Sequence, residues 1–317
     1  MKAIVCDRTV RVDLAYPDPR PQPGECLVRV HLAGICATDL EIIKGYMGFR
    51  GVLGHEMVGT VVQGSPDWRG KRVAAEINCV CTRCEMCLAG LANHCRKRTV
   101  LGIAGRDGCF AEIFAVPERN LHLIPPSITD EEAVFVEPLA AACQVRAQCP
   151  LDARTRAVVV GTGKLGVLIA QVLHGTGCRL TAVGRNRGKL LVCEKLGIQT
   201  AHVADFVPRA DADVVVECTG APEGIELAMR IVRPRGTIVL KSTYAATASP
   251  NLAPVVINEV TVLGSRCGPF CEAIIALQRK DVEVRTLISR VFPLEQFECA
   301  LDAAKNPENL KVLLKIG

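Results

Sequence analysis

Aromatic residues are scarce: one Trp, three Tyr and eight Phe supply 4% of 317 residues. No run of five or six like charges occurs, and the net charge of +5 is modest and spread along the chain. Without basic blocks interleaved with aromatic stacking platforms, nucleic acid is not expected as the main partner. Also missing is an apolar run near the ~18 residues of a membrane span. The first residues, Met-Lys-Ala-Ile-Val-Cys-Asp-Arg, turn charged too early for a signal peptide. These absences lead us to expect a soluble, cytoplasmic protein with no membrane partner. Apolar residues reach 49%, ample for a core, and the length favours two domains.

Cysteine, by contrast, is abundant. Seventeen of them, an odd number in a long chain, do not fit a secreted disulfide scaffold. Cys6, Cys143, Cys178, Cys218 and Cys299 have apolar residues close by and read as small buried hydrophobes. Five others crowd into the stretch from Cys79 to Cys95. Of these, Cys81, Cys84, Cys87 and Cys95 follow the spacing C-x2-C-x2-C-x7-C. A Cys-x2-Cys pair lets two thiolates from one tight turn reach the same ion, and a closed tetrahedral set of four is what structural zinc takes. Cys79 is left as the spare, at the end of a strand.

Up to about residue 125 the chain is made of short β-branched segments separated by Gly and Pro, such as Ala3 to Val5 and Cys26 to His31, a texture of a barrel or sandwich. From residue 140 strands and helices alternate. Strands are expected at 157–160, 179–183, 213–217 and 236–240, and helices at 165–174, 189–196 and 223–232. Repeated βα units imply a parallel sheet covered by helices on both faces. Helices at 272–280 and 294–305 and a closing strand, Lys311 to Lys315, follow.

Gly161-Thr-Gly163-Lys164-Leu165-Gly166 comes after a strand and opens a helix. In that context the first two glycines permit a tight turn and close approach of a pyrophosphate, and the third lets helix and strand pack. N–H groups at the helix start face the phosphates. About twenty residues on, where an NAD site carries an acid, the chain reads Gly184-Arg185-Asn186-Arg187. A glycine leaves room where a carboxylate would repel a 2′-phosphate, and the two arginines can pair with that phosphate, so NADP(H) is expected over NAD(H).

A second, dispersed constellation lies in Gly34-Ile-Cys36-Ala-Thr38-Asp39, in Gly54-His55-Glu56 and in Glu137-Pro-Leu. One thiolate, one imidazole and one carboxylate make three ligands, leaving a fourth position for water or substrate as a catalytic zinc requires.

Together with Glu217-Cys-Thr219-Gly220 and Arg233-Pro-Arg-Gly-Thr-Ile238, these motifs make nearly the whole chain resemble the zinc-dependent medium-chain dehydrogenases, which include alcohol, sorbitol and threonine dehydrogenases. The resemblance implies a GroES-like β-barrel catalytic domain, residues 1–141 and 268–317, and a doubly wound Rossmann domain, residues 142–267. It implies two zinc ions per chain and matches Cys36 and His55 to two catalytic ligands, with Glu137 or Glu56 as the third. Asp39 matches the acid that orients the histidine, Thr38 the hydroxyl that takes the substrate's proton, and Thr219 falls within a cofactor-binding motif. Where many relatives carry a relay histidine this chain has Glu41, and Tyr46, Met47 and Phe49 could wall the substrate pocket. A secondary alcohol, polyol or sugar and its ketone or aldehyde are the implied substrates, and relatives form dimers or tetramers, for which 255–263 is the expected edge strand. The rivals are a zinc-independent quinone or enoyl reductase of the same superfamily, a zinc-ribbon nucleic-acid module and a nucleotide sensor without turnover.

Overall fold

The computed structural model describes residues 1–243 and 250–317, which form two compact units, Met1–Glu137 with Leu287–Gly317, and Pro138–Thr286. The expected division lay near residues 141 and 267.

The first unit is built on a seven-stranded sheet whose organising element is the long strand Glu25–Gly34. One of its edges pairs with Glu56–Gln63, and the other is shared by Ile113–Pro117 and by the closing strand Lys311–Lys315. Register brings Gly34 opposite both Glu56 and Leu313. The chain's last strand therefore lies one strand away from the Gly54-His55-Glu56 turn, although some 255 residues separate Glu56 from Lys311. Two smaller sheets, 9–13/3–7/51–52 and 78–79/99–101/105–106, complete the unit. Phe110, fully buried, packs against Phe297 with ring centroids 6.1 Å apart and planes tilted by 55°, and fills the space beside Gly54. A β-carbon at Gly54 would overlap that ring, and its φ of +95° is costly for any other residue, so glycine is required just before His55.

The second unit carries a six-stranded sheet, all parallel, in the order 199–202, 179–184, 156–160, 212–217, 232–240, 261–264. Numbered along the chain this order is 3-2-1-4-5-6, the doubly wound pattern with its switch point between the strands ending at Val160 and Glu217. Its core joins Val158, Val160, Val183 and Val215 from the strands to Ile225, Ala228 and Ile231 from one helix. Helices at Lys164–His174, Arg187–Lys195 and Pro222–Ile231 lie within two residues of their expected limits. The second starts early because Asn186 caps it, its side-chain oxygen accepting the Lys189 N–H at 2.9 Å.

Three expectations change. Residues 255–263 do not form one strand: Ala253–Ile257 is a short helix with Pro254 in its first turn, Glu259 turns the chain at φ +49°, and only Thr261–Gly264 extends the sheet edge. Cys299 is exposed, because Phe297, Ala300, Leu301 and Ala304 take the inward stripe of its helix. Cys218 is half-buried at a strand end, its thiol turned onto the Val160 and Gly161 carbonyls. None of the 17 cysteines is joined in a disulfide.

Candidate active site and metal centres

Cys36 lies two residues beyond the strand Glu25–Gly34 and caps the short helix Ala37–Ile43. Asp39, in the helix's first turn, folds back so that one carboxylate oxygen accepts the Cys36 backbone N–H at 2.8 Å. Its other oxygen stands 3.3 Å from His55 Nδ1, close enough for an ion pair but too poorly aligned for a hydrogen bond, and both atoms are otherwise unpartnered and buried. Burial, the largest single influence, disfavours the imidazolium, but Asp39 and Cys36 together outweigh it and raise the His55 pKa well above its ordinary value. With Nδ1 turned to Asp39, Nε2 is the nitrogen left for a metal.

Cys36, His55 and Glu56 bring one donor atom each within 4.8 Å of one another. Glu56 is buried in a niche opened by Gly34, where a β-carbon would overlap its carboxylate. The Cys36 thiol donates to Thr38 Oγ1 at 3.7 Å, which places that half-buried hydroxyl beside the cluster. Glu137, at the start of the helix Val136–Gln148, is outside this three-residue cluster. Glu41 is turned away to Lys44 at 2.7 Å. Of the expected pocket residues, Phe49 is buried against Gly51, Tyr46 is half-buried, and Met47 is exposed in a left-handed conformation, φ +62°.

Two residues beside the cluster escaped the sequence reading. Lys311, 1% exposed, donates from its ammonium to Glu56 Oε2. The signal for it was faint: one cation heading the apolar run Val-Leu-Leu. Cys109 is fully buried with its thiol 3.7 Å from the Glu56 carbonyl, and burial pushes its pKa well up, so it stays a neutral packing residue.

In the cysteine lobe, Cys84 and Cys87 sulfurs are 3.5 Å apart, Cys84 and Cys95 3.8 Å, and Cys95 and Cys81 3.5 Å. Four thiolates at about 2.3 Å from a tetrahedral zinc stand about 3.8 Å from one another. The spacing is thus that of a metal cage, far beyond a disulfide's ~2.05 Å. Backbone N–H groups of Cys87 and Arg96 draw the Cys84 pKa down to about 6, and the N–H of Arg83 lowers Cys81, while desolvation pushes Cys87 up to about 12. Such a knuckle of amides is preset for anionic sulfur, and a bound cation would remove the last thiol proton. Cys79 lies apart, buried at the end of the strand Asn78–Cys79. Cys84→Ser is expected to lose one zinc and to open the lobe to trypsin at Arg83, Arg96, Lys97 and Arg98. Unchanged zinc content and an unchanged digest by mass spectrometry would contradict that assignment.

The nucleotide-binding turn gives its glycines separate duties. Gly161 has φ +110° and meets the Cys218 carbonyl, and Gly166 presses on the Gly161 carbonyl, so both are packing glycines. A β-carbon on Gly163, at the start of the helix Lys164–His174, would meet nothing within 4 Å, so this is the glycine beside which a ligand has room. Lys164 and Leu165 form the first turn of that helix. Gly184 lies against the Thr162 hydroxyl, which a β-carbon would overlap. Arg185 is held by its carbonyl, which pairs with His202 Nε2 at 2.9 Å, while His202 Nδ1 accepts the Ala204 N–H. Arg187 makes an exposed pair with Asp205 at 3.4 Å. Thr219 donates to the buried Glu217 carboxylate at 2.6 Å, shaping the turn at the switch point.

A dinucleotide-binding Rossmann unit and a GroES-like unit carrying two thiolate-containing donor sets define a class of metal-assisted, nicotinamide-linked oxidoreductases. Residues 22–126 match the alcohol dehydrogenase GroES-like domain and residues 165–279 the zinc-binding dehydrogenase domain. Sorbitol dehydrogenase of Halalkalibacterium halodurans is 28% identical over 94% of this chain and 93% of its own. Among solved structures, an alcohol dehydrogenase of Escherichia coli CFT073 complexed with NADH superposes with a TM-score of 0.91 at 25% identity, covering 100% of this chain and 99% of that one. A zinc-binding dehydrogenase of Sinorhizobium meliloti 1021 bound to NADP gives 0.89 at 26% identity, covering 99% of both. The chain belongs to the zinc-dependent medium-chain dehydrogenase/reductase family. It is accordingly an alcohol-dehydrogenase-type oxidoreductase. No helix among the described residues is long and apolar enough to cross a membrane.

Proposed function

We propose that this enzyme interconverts a secondary alcohol, polyol or sugar and its ketone or aldehyde, using zinc and preferring NADP(H) to NAD(H). The observation that carries the reading is the convergence of Cys36, His55 and Glu56, with Asp39 behind the imidazole. Such a thiolate, imidazole and carboxylate set fits an open zinc site, and the four sulfurs of the lobe fit a closed one, two ions per chain in all. Bound zinc supplies Lewis acidity that makes the substrate hydroxyl easier to deprotonate, and the nicotinamide takes up or returns the hydride.

The chain's own residues supply placement. Thr38 takes the hydroxyl proton beside Cys36, Asp39 fixes the orientation of His55, and Glu56 or Glu137 completes the ligand set. Gly163 leaves space for the pyrophosphate, while Arg185 and Arg187 attract the 2′-phosphate. The exposed Leu252, Val256, Ile257 and Val262 along the outer edge of the Rossmann sheet support association into a dimer or tetramer. Seventeen cysteines without a disulfide among them support a reducing, cytoplasmic setting.

The test is a zinc determination combined with a screen of polyols, sugars and secondary alcohols against both cofactors. Two zinc ions per chain and faster turnover with NADP+ are expected. One zinc with intact activity would leave the zinc-independent reductase as the better reading.

A further inference from the structure

Among the described residues of the first unit, the acids Asp39 and Glu56 and the base Lys311 are 1% exposed and His55 is 3% exposed, almost sealed from water. They sort into two pairs, His55 with Asp39 and Lys311 with Glu56. A buried ion left alone carries a heavy desolvation penalty, so each charge here depends on its partner. The carboxylate that Lys311 holds, Glu56, belongs to the set Cys36, His55 and Glu56, whose donor atoms lie within 4.8 Å of one another and from which the proposed zinc site draws its ligands. The Phe135 ring, 5.7 Å from Nζ, adds a π face to the same cation. The arrangement depends on Gly34, opposite Glu56 on one side and Leu313 on the other, because a side chain there would occupy the space in which ammonium and carboxylate meet.

An ammonium and a divalent cation placed beside one anionic set compete for it. We propose that Lys311 is a positioning residue that acts as the built-in counter-ion of the metal-free catalytic site. It keeps Glu56 and the neighbouring ligands assembled when no metal is bound, and its like charge moderates the grip of that site on zinc. The inference rests on the zinc reading given above.

Lys311→Met keeps the length of the stem and removes the charge. In full-length protein whose catalytic site has been emptied with a chelator, the thermal midpoint is expected to fall by about 10 °C, since Glu56 is left unpaired. With zinc loaded, the loss is expected to be less than half as large. Zinc affinity at this site, read by competition with a chromogenic chelator and assigned by subtracting the Cys36→Ala protein, is expected to rise about tenfold because a repelling charge has gone. The double variant Glu56→Gln/Lys311→Met buries no ion of this pair and is expected to recover most of the metal-free midpoint. If Lys311→Met can be isolated only with zinc present and unfolds on chelation while the double variant does not, the same conclusion holds more strongly. Equal losses with and without zinc, unchanged zinc affinity and no rescue by the double variant would reduce Lys311 to a packing residue. Should the wild-type protein bind no zinc that depends on Cys36, the zinc reading itself falls, a result distinct from the failure of the counter-ion role.

Discussion

Replacing Cys36 with alanine is expected to cut turnover at least about a thousandfold and to lower the zinc content from two ions per chain to one. The size follows from what the ligand supports. Lewis-acid stabilisation of a developing oxyanion is worth several kcal/mol, and each 1.36 kcal/mol is tenfold in rate. Losing one of three protein ligands leaves His55 and a carboxylate, a set too sparse for an open tetrahedral site. The loss should be chemical rather than structural. Cys36 is only half-buried, its backbone N–H still binds Asp39, and the two buried ion pairs beside it stay intact without the thiol. The variant is therefore expected to unfold within a few degrees of wild type. Measuring kcat, metal content and thermal midpoint on one preparation separates the possibilities. Full activity with one zinc would move the chemistry away from this cluster, and a collapsed midpoint would make Cys36 a structural residue.

What the sequence made readable was mostly local. The cysteine spacing fixes four sulfurs within fifteen residues, so its geometry is nearly implicit in the motif, and the glycine turn is recognisable from the strand before it and the helix after it. Cys36 and His55 became candidates only in combination, since each alone is an ordinary turn residue. The rest was hidden by distance or by competing local chemistry. Lys311 reaches Glu56 only because two strands flank Gly34, and no window of sequence carries that register. Asn186 sits where a cofactor contact was expected, but its side chain is already engaged in capping a helix. Residues 255–263 are expected as one edge strand by resemblance to oligomeric relatives, while Pro254 and a left-handed Glu259 divide the segment between helix and strand.

The pair Arg185→Ala/Arg187→Ala is expected to lower kcat/KM for NADPH about a hundredfold while leaving NADH within about twofold. Each guanidinium can place charge-assisted hydrogen bonds on a 2′-phosphate. Such bonds reach ~1.5–3 kcal/mol when sheltered, but Arg187 is 76% exposed, so about 1.4 kcal/mol, or tenfold, is the larger share either arginine should carry. The effect should sit mainly in KM, because the 2′-phosphate is remote from the reacting carbon and binds equally in ground and transition states. It should also shrink with added salt, as exposed ion pairs do. Neutralising Asp205, which holds Arg187 in the free protein, is expected to move NADPH binding the other way by a smaller factor. Gly184→Asp, the obvious route to an NAD site, should fail on its own. Its β-carbon would overlap the Thr162 hydroxyl, so the strand end or the glycine turn must shift before any ribose can be recognised. Steady-state kinetics with both cofactors at two salt concentrations decide the matter. Equal losses with NADPH and NADH would mean that the arginines shape the loop, and a wild-type preference for NADH would remove the 2′-phosphate from the argument.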